Sequence, residues 1–294
     1  MVATGSASRP AQRGPAVIDC GGRPLDLSQP QVMGVLNITP DSFSDGGRFL
    51  DHGRALEQAH RMVEDGAAII DIGGESTRPG SEGVSVQEEL DRVMPVLEAL
   101  CRDLSVPVSV DTSKPEVMRE ACRLGAGMIN DVNALRASGA LDAAAATGLP
   151  VCLMHMQGQP RTMQQAPQYR DVSADVVAFL GERVAAATAA GIPRHRLVLD
   201  PGFGFGKTVQ HNYRLLAQLQ RIVGMGLPVL VGMSRKSMIG AVLDQAPADQ
   251  RLVGSVAAAV IAARAGARLI RVHDVRATVE AMAVVRAVLA ESRE

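Results

Sequence analysis

The residues of this chain that could do chemistry recur in one kind of place. Asn37, Asp71, Glu75, Asp111, Asn130, His155, Asp200, Ser234, Arg235, Lys236, Arg271 and His273 all lie at or just beyond the ends of short apolar runs. Taken singly, each is as readily explained as a helix cap or a turn residue. Polar groups at eight successive run ends are harder to explain that way and point to one shared rim. Their chemistry is that of hydrogen bonding and charge, since no Ser-His-Asp order or nucleophile elbow indicates covalent catalysis. His52, His60, His195 and His211 lack metal-ligand spacing and read as solvated or capping histidines. The stretch "LDPGFGFGKT" (199 to 208) departs from both glycine-rich phosphate motifs by one position. Pro201 stands where a G-x-x-x-x-G-K-T loop needs its first glycine, and Gly202, Gly204 and Gly206 give G-x-G-x-G instead of G-x-G-x-x-G.

The elements that would hold these groups are legible as a repeat. Apolar runs begin at Gln31 (QVMGVLNIT), Ala67 (AAIIDIGG), Pro107 (PVSVDT) and Gly127 (GMINDV), then at Pro150 (PVCLMHM), Arg196 (RLVLDPG), Pro228 (PVLVGMS) and Arg268 (RLIRVHDV). Each is nearly continuous in apolar residues, the pattern of parallel strands buried on both faces. Segments of helical periodicity follow, such as ALEQAHRMVEDG and LLAQLQRIVGMG, and small residues such as Gly66-Ala67 and Gly266-Ala267 act as helix stops. Eight βα units without a linker predict the α/β class and a single (β/α)8 TIM barrel, with an open doubly wound sheet as the alternative. AVIDCGGRPLDL reads as an N-terminal β-hairpin around Gly21-Gly22 that caps the bottom of the barrel. Residues 1–14 read as a disordered extension and 15–294 as the barrel domain. Active sites of this fold lie at the C-terminal ends of the strands, where the polar residues cluster.

Composition narrows the function classes. A formal net charge of −1 and scattered basic residues give no nucleic-acid footprint. Cys20, Cys101, Cys122 and Cys152 form no C-x-x-C pair and suit reduced thiols. No signal-peptide core and no apolar run of about 20 residues is present, so a cytoplasmic protein without a membrane partner is expected. With 2 tyrosines, 5 phenylalanines and no tryptophan, the core must be aliphatic.

Eight segments then carry a family resemblance: GVLNITPDSFSDGG (34 to 47), DIGGESTRPG (71 to 80), SVDTSKPEV (109 to 117), MINDV (128 to 132), MHMQGQPRTMQ (154 to 164), LDPGFGFGKT (199 to 208), GMSRKSMIG (232 to 240) and RVHDV (271 to 275). Together they resemble the dihydropteroate synthases of folate biosynthesis from about Ala16 onward. The resemblance implies condensation of 6-hydroxymethyl-7,8-dihydropterin diphosphate with 4-aminobenzoate, giving 7,8-dihydropteroate and diphosphate. It assigns Asp111, Asn130, Asp200 and Lys236 to the pterin. A carboxylate such as Asp200 accepts the two adjacent N–H donors of an amino-pyrimidinone edge, and Lys236 supplies a donor for ring acceptors.

The same resemblance implies Mg2+ at Asn37, a substrate contact at Thr77, and a diphosphate clamp from Arg271 and His273. Those two residues lie two apart on the last strand and so share a face. Ser76, Arg78, Pro79, Phe205, Ser234 and Arg235 would shape the 4-aminobenzoate pocket, where sulfonamides would bind as mimics. The loops TPDSFSDGGRF and ESTRPGSEGV suit lids. Met154 and His155 are expected at the pocket floor, and Lys207 becomes a loop-stabilising charge. Met238 stands where an aromatic is common in the family. A homodimer is expected mainly from the resemblance. A methyltransferase acting on methyltetrahydrofolate is a competing reading, against which the Arg271-Val272-His273 set and the ESTRPG loop count. A non-enzymatic barrel scaffold is a third, against which the intact lid sequences count.

Overall fold

Val, Ile, Leu and Met fill both faces of the apolar runs, so each run is stable only where one face meets a neighbouring layer and the other a barrel interior. The computed structural model describes residues 16–38, 48–76, 81, 83–158 and 162–291. Strands β1 (Val17–Cys20) and β2 (Arg23–Asp26) form an antiparallel hairpin. Its turn residues Gly21 and Gly22 have φ of 64° and 86°, values that a two-residue hairpin of this twist requires.

The barrel strands are β3 (Gln31–Asn37), β4 (Ile69–Gly73), β5 (Val108–Asp111), β6 (Met128–Asp131), β7 (Val151–Met154), β8 (Leu197–Asp200), β9 (Leu230–Val231) and β10 (Leu269–Val272). Each corresponds to one apolar run of the sequence. Between and after them run α1 (Arg48–Glu64), α2 (Val86–Asp103), α3 (Pro115–Arg123), α4 (Ala140–Thr147) and α5 (Val172–Ala189). The second half adds α6 (Val209–Ala217), α7 (Gln220–Val223), α8 (Ser237–Ala241), α9 (Leu252–Arg264) and α10 (Val275–Glu291). All strand pairs in the sheet are parallel, in the order β8-β7-β6-β5-β4-β3-β10-β9. A parallel bridge between Leu199 and Val229 joins its two edges and closes the barrel.

Side chains alternate along a strand, which sorts the runs into two cores. Outward residues such as Ile70, Ile72, Val110, Ile129 and Leu153 pack under the helices. Inward residues Met33, Ile69, Met128, Cys152, Val198, Leu230 and Leu269 form a lower ring inside the barrel. Ile18, Cys20, Leu25 and Leu27 of the hairpin segment pack against that ring, so the hairpin does cap the bottom. Each fully buried aliphatic side chain in these layers contributes about 1.5–3 kcal/mol. Arg23 ties the cap down by donating to the carbonyls of Val106 at 2.9 Å and Cys101 at 2.5 Å.

Two residues further along the same inward face, the ring changes character. Asp71, Asp111, Asn130, Met154, Asp200, Gly232 and Arg271 occupy those positions. The upper ring is thus set by strand periodicity one layer above an apolar plug. The sequence expectations for residues 1–14, for 39–47 and for half of ESTRPGSEGV fall outside the described residues.

Candidate active site at the mouth of the barrel

Asp111, Asn130, Val132, Met154, Asp200, Phe205, Gly232, Lys236 and Arg271 line one cleft at the C-terminal ends of the strands. At its centre Arg271 donates from Nε to Asp71 at 2.6 Å and from Nη2 to Asp111 at 2.9 Å, tying β10 to β4 and β5. Asn130 donates to the same Asp71 oxygen at 3.0 Å. The other oxygen of Asp71, Oδ1, is buried without a hydrogen-bond partner among the described residues, an acceptor that a bound N–H or water would satisfy.

Burial controls the charge of this ring. It pushes Asp111 up to about 8, against the opposing pull of Arg271. Asp200 is likewise raised by burial, although its Oδ1 accepts the Gly202 amide at 2.7 Å. Lys236 is pushed down to about 8 by burial, with Asp200 resisting. For Arg271 burial acts to weaken the cation, but Asp71 and Asp111 outweigh it and hold the guanidinium firmly charged. A ring whose acidic and basic groups burial has brought closer to neutrality suits a neutral ligand edge that offers both donors and acceptors.

Phe205 and Lys236 meet across the cleft, the ammonium 4.4 Å from the ring centroid. Lys236 also donates to the Phe203 carbonyl. The loop that presents Phe205 is built around Lys207, which is 3% exposed. Its Nζ donates to the carbonyls of Gly202 at 2.8 Å and Phe205 at 3.1 Å and lies 2.9 Å from His155 Nδ1. Burial drives Lys207 well below its ordinary value, and burial followed by the Lys207 charge takes His155 down to about 2. Lys207 therefore is a loop-stabilising group, as its sequence context suggests. His155 belongs to this support and not to the cleft lining, where Met154 alone of the expected floor pair is found. A Cβ at Gly202 would fall 1.9 Å from the His155 carbonyl oxygen, so the loop can approach β7 only because no side chain is there. The loop ends in a capping box in which Thr208 accepts the His211 amide and the His211 ring accepts the Thr208 amide, making His211 a capping histidine.

The remaining candidates stand at the rim. Ser234 Oγ lies 3.0 Å from His273 Nδ1, and Arg235 makes a bidentate pair with Asp274 at 2.9 and 2.5 Å. Arg271 and His273 do share the inward face, yet Arg271 sits deeper, among the carboxylates, while His273 pairs with Ser234. Asn37 ends β3 in register with Gly73. Ser76 is half-buried just beyond β4. Thr77, Arg78 and Pro79 lie outside the described residues. Sequence reasoning gave Asp71 a place at a strand end but no role, and its partner is 200 residues away, beyond any local signal. Met238 is buried beneath the Lys236 turn, where its carbonyl accepts the Tyr213 hydroxyl at 3.0 Å.

Comparisons with known proteins agree with this geometry. Residues 33–273 match the family of pterin binding enzymes. The dihydropteroate synthase of Escherichia coli (strain K12) is 59% identical over 268 residues, which is 91% of this chain and 95% of the relative. A crystal structure of Yersinia pestis dihydropteroate synthase with a sulfonamide drug complex superposes with a TM-score of 0.89 at 57% identity, covering 93% of this chain and 99% of that one. That of Xanthomonas albilineans dihydropteroate synthase with 4-aminobenzoic acid gives 0.89 at 54% identity, covering 94% and 98%.

Proposed function

The chain belongs to the dihydropteroate synthase family of pterin binding enzymes, and we propose that its cleft joins 6-hydroxymethyl-7,8-dihydropterin diphosphate to 4-aminobenzoate. The products are 7,8-dihydropteroate and diphosphate. The observation that carries this reading is the inward ring itself: Asp111, Asn130, Asp200, Lys236 and Arg271 converge on one cleft above an apolar plug. A flat heterocycle with donors and acceptors along its edges satisfies such a ring. Asp200 accepts from the amino-pyrimidinone edge, Asp111 and Asn130 serve the remaining edge, and Lys236 donates to the ring acceptors.

Bond breaking is dissociative in this scheme. The electron-rich pterin stabilises positive charge on its exocyclic methylene as the C–O bond to diphosphate opens, and the arylamine nitrogen then forms the new C–N bond and loses its proton. An aniline is already a neutral nucleophile near pH 7, so positioning and electrostatics suffice and no strong base is required. Arg271 supplies positive charge at the cleft and His273 hydrogen bonding at its rim, beside the departing anion. Thr77 contacts substrate, and Ser76, Arg78, Pro79, Phe205, Ser234 and Arg235 border the amine, where sulfonamides compete as mimics.

Mg2+ fits the residues present. Asn37 offers a neutral amide oxygen at the end of an inward face, and no group of three His, Cys, Asp or Glu residues among the described ones forms a dedicated cage. That set suits a hard cation that keeps its waters and arrives with the diphosphate. When bound, the cation neutralises charge on the leaving diphosphate. The assembly is a homodimer in this reading, supported by Val253, Ile261 and Val284, large apolar side chains exposed on adjacent helices α9 and α10. Four free cysteines favour a reducing, cytoplasmic setting, and no helix among the described residues is long and apolar enough to cross a membrane.

The test is direct: with both substrates and Mg2+, diphosphate and dihydropteroate must appear together in equal amounts and depend on 4-aminobenzoate. Absence of product would remove the reading.

A further inference from the structure

Beside the cleft, and used by none of the steps above, a charged cluster joins three parts of the chain. Where β4 leaves the barrel, Gly74 lies so close to α2 that a Cβ would come within 2.6 Å of Val93 Cγ2 and 3.3 Å of Glu89 Cγ. Arg92 on that helix donates to the Gly74 carbonyl at 3.1 Å. The next residue, Glu75, accepts from Lys114, which stands just ahead of α3. Lys114 Nζ also donates to Glu89 at 2.5 Å. The Glu89 side chain is 1% exposed, and its Oε1 has no hydrogen-bond partner among the described residues.

Stability alone is a poor reason to keep this cluster. Desolvating two carboxylates and an ammonium gives up much of what their attraction returns, and apolar residues of similar size often serve a core as well or better. What a charged cluster does supply is direction, because a shared ammonium fixes both carboxylates in one arrangement. The chain around Glu75 makes that direction consequential. Ser76 follows it, and the Ser76 carbonyl accepts from the Ser81 hydroxyl at 2.5 Å, so positions 76 and 81 lie side by side. Gly83 approaches Glu75 again, with Glu75 Oε1 only 3.4 Å from where a Cβ at 83 would stand. Two residues later Ser85 opens the capping box of α2. Both ends of the loop between β4 and α2 thus meet at a carboxylate that Lys114 holds from the neighbouring βα unit.

We infer that Glu75 and Lys114 are positioning residues for the amine substrate: their ion pair, braced by Glu89, fixes the base of the loop that begins at Ser76. The inference rests on the reading that Ser76 borders 4-aminobenzoate. The pair sets affinity for the amine and leaves the pterin ring residues as they are.

Replacing Lys114 would strand the buried Glu89, so the test uses Glu75→Gln, which keeps the side-chain size and leaves the Lys114–Glu89 pair in place. Relative to the unaltered enzyme, KM for 4-aminobenzoate should rise about ten-fold while kcat changes by less than about two-fold. Binding of dihydropterin diphosphate, measured by titration calorimetry without the amine, should be unchanged. An unaltered KM for the amine would overturn the inference, and so would a parallel loss of pterin affinity, which a general loosening of the fold produces. If the unaltered chain releases no diphosphate, the reading of the site falls and the inference with it. If the unaltered chain turns over and Glu75→Gln matches it, the inference alone falls.

Discussion

Replacing Arg271 by methionine removes a cation that contacts both Asp71 and Asp111, residues 200 and 160 positions away in the chain. The length and apolar stem are kept, so the change is chiefly one of charge. Asp111 is already pushed up to about 8 by burial and needs little further adjustment at pH 7. Asp71 is fully buried and would be left with the Asn130 amide as its hydrogen-bond partner among the described residues. Removing one partner of a buried ion pair strands the other and costs about 3–5 kcal/mol. The remaining Asn130 hydrogen bond offsets part of that, which puts the expected loss at about 3–4 kcal/mol.

Urea unfolding of the variant and the unaltered protein at pH 7 measures this difference. Circular dichroism is the suitable signal, because the chain has no tryptophan. A deficit below about 1 kcal/mol at pH 7 would refute the account of Arg271 as the counter-charge of a buried carboxylate.

Three further outcomes are expected. Asp200→Ala should weaken pterin binding about a hundred-fold by leaving ligand donors unpaired, and near-normal turnover would contradict the assignment. Lys207→Met should cost about 2 kcal/mol, since the Gly202 and Phe205 carbonyls lose their shared donor, and should raise KM for 4-aminobenzoate through Phe205; unchanged thermal stability would count against the loop-hub role. Val253→Asp combined with Ile261→Asp should yield a monomer in sedimentation velocity if the α9–α10 face is the dimer contact, whereas a persisting dimer would exclude that face.

Much of the architecture was open to reading because barrel strands carry a double signal. Runs such as AAIIDIGG are apolar on both faces, and their few polar residues fall at alternate positions near one end, which marks both the strand and its inward side. Asp71, Asp111, Asn130, Asp200 and Arg271 were all visible in that way, and the Gly21-Gly22 turn announced the hairpin. What the sequence could not disclose is who meets whom. Arg271 and His273 share a face two residues apart, which suggests a joint clamp, yet one layer of the barrel separates carboxylate partners from a serine partner. The links of Lys114 to Glu75 and Glu89, and of Lys207 to His155, cross between βα units and leave no local pattern. His155 was misplaced for a related reason: it follows the inward Met154 by one position, and side-chain alternation turns it to the other face, where it meets Lys207.

The closure of the barrel has a mechanical consequence. Neighbouring strands elsewhere share two to five rungs, but β9 has two residues and meets the β8 edge through a single bridge, Leu199 to Val229. That fault line runs directly beside the cleft, with Asp200 on one bank and Lys236 on the other. The protein already stitches it above the strands, where Lys236 reaches the Phe203 carbonyl and the Phe205 ring. A flat molecule gripped by Asp200 and Lys236 together becomes a splint across the weakest joint of the cylinder, so that filling the pocket and stiffening the barrel are one event.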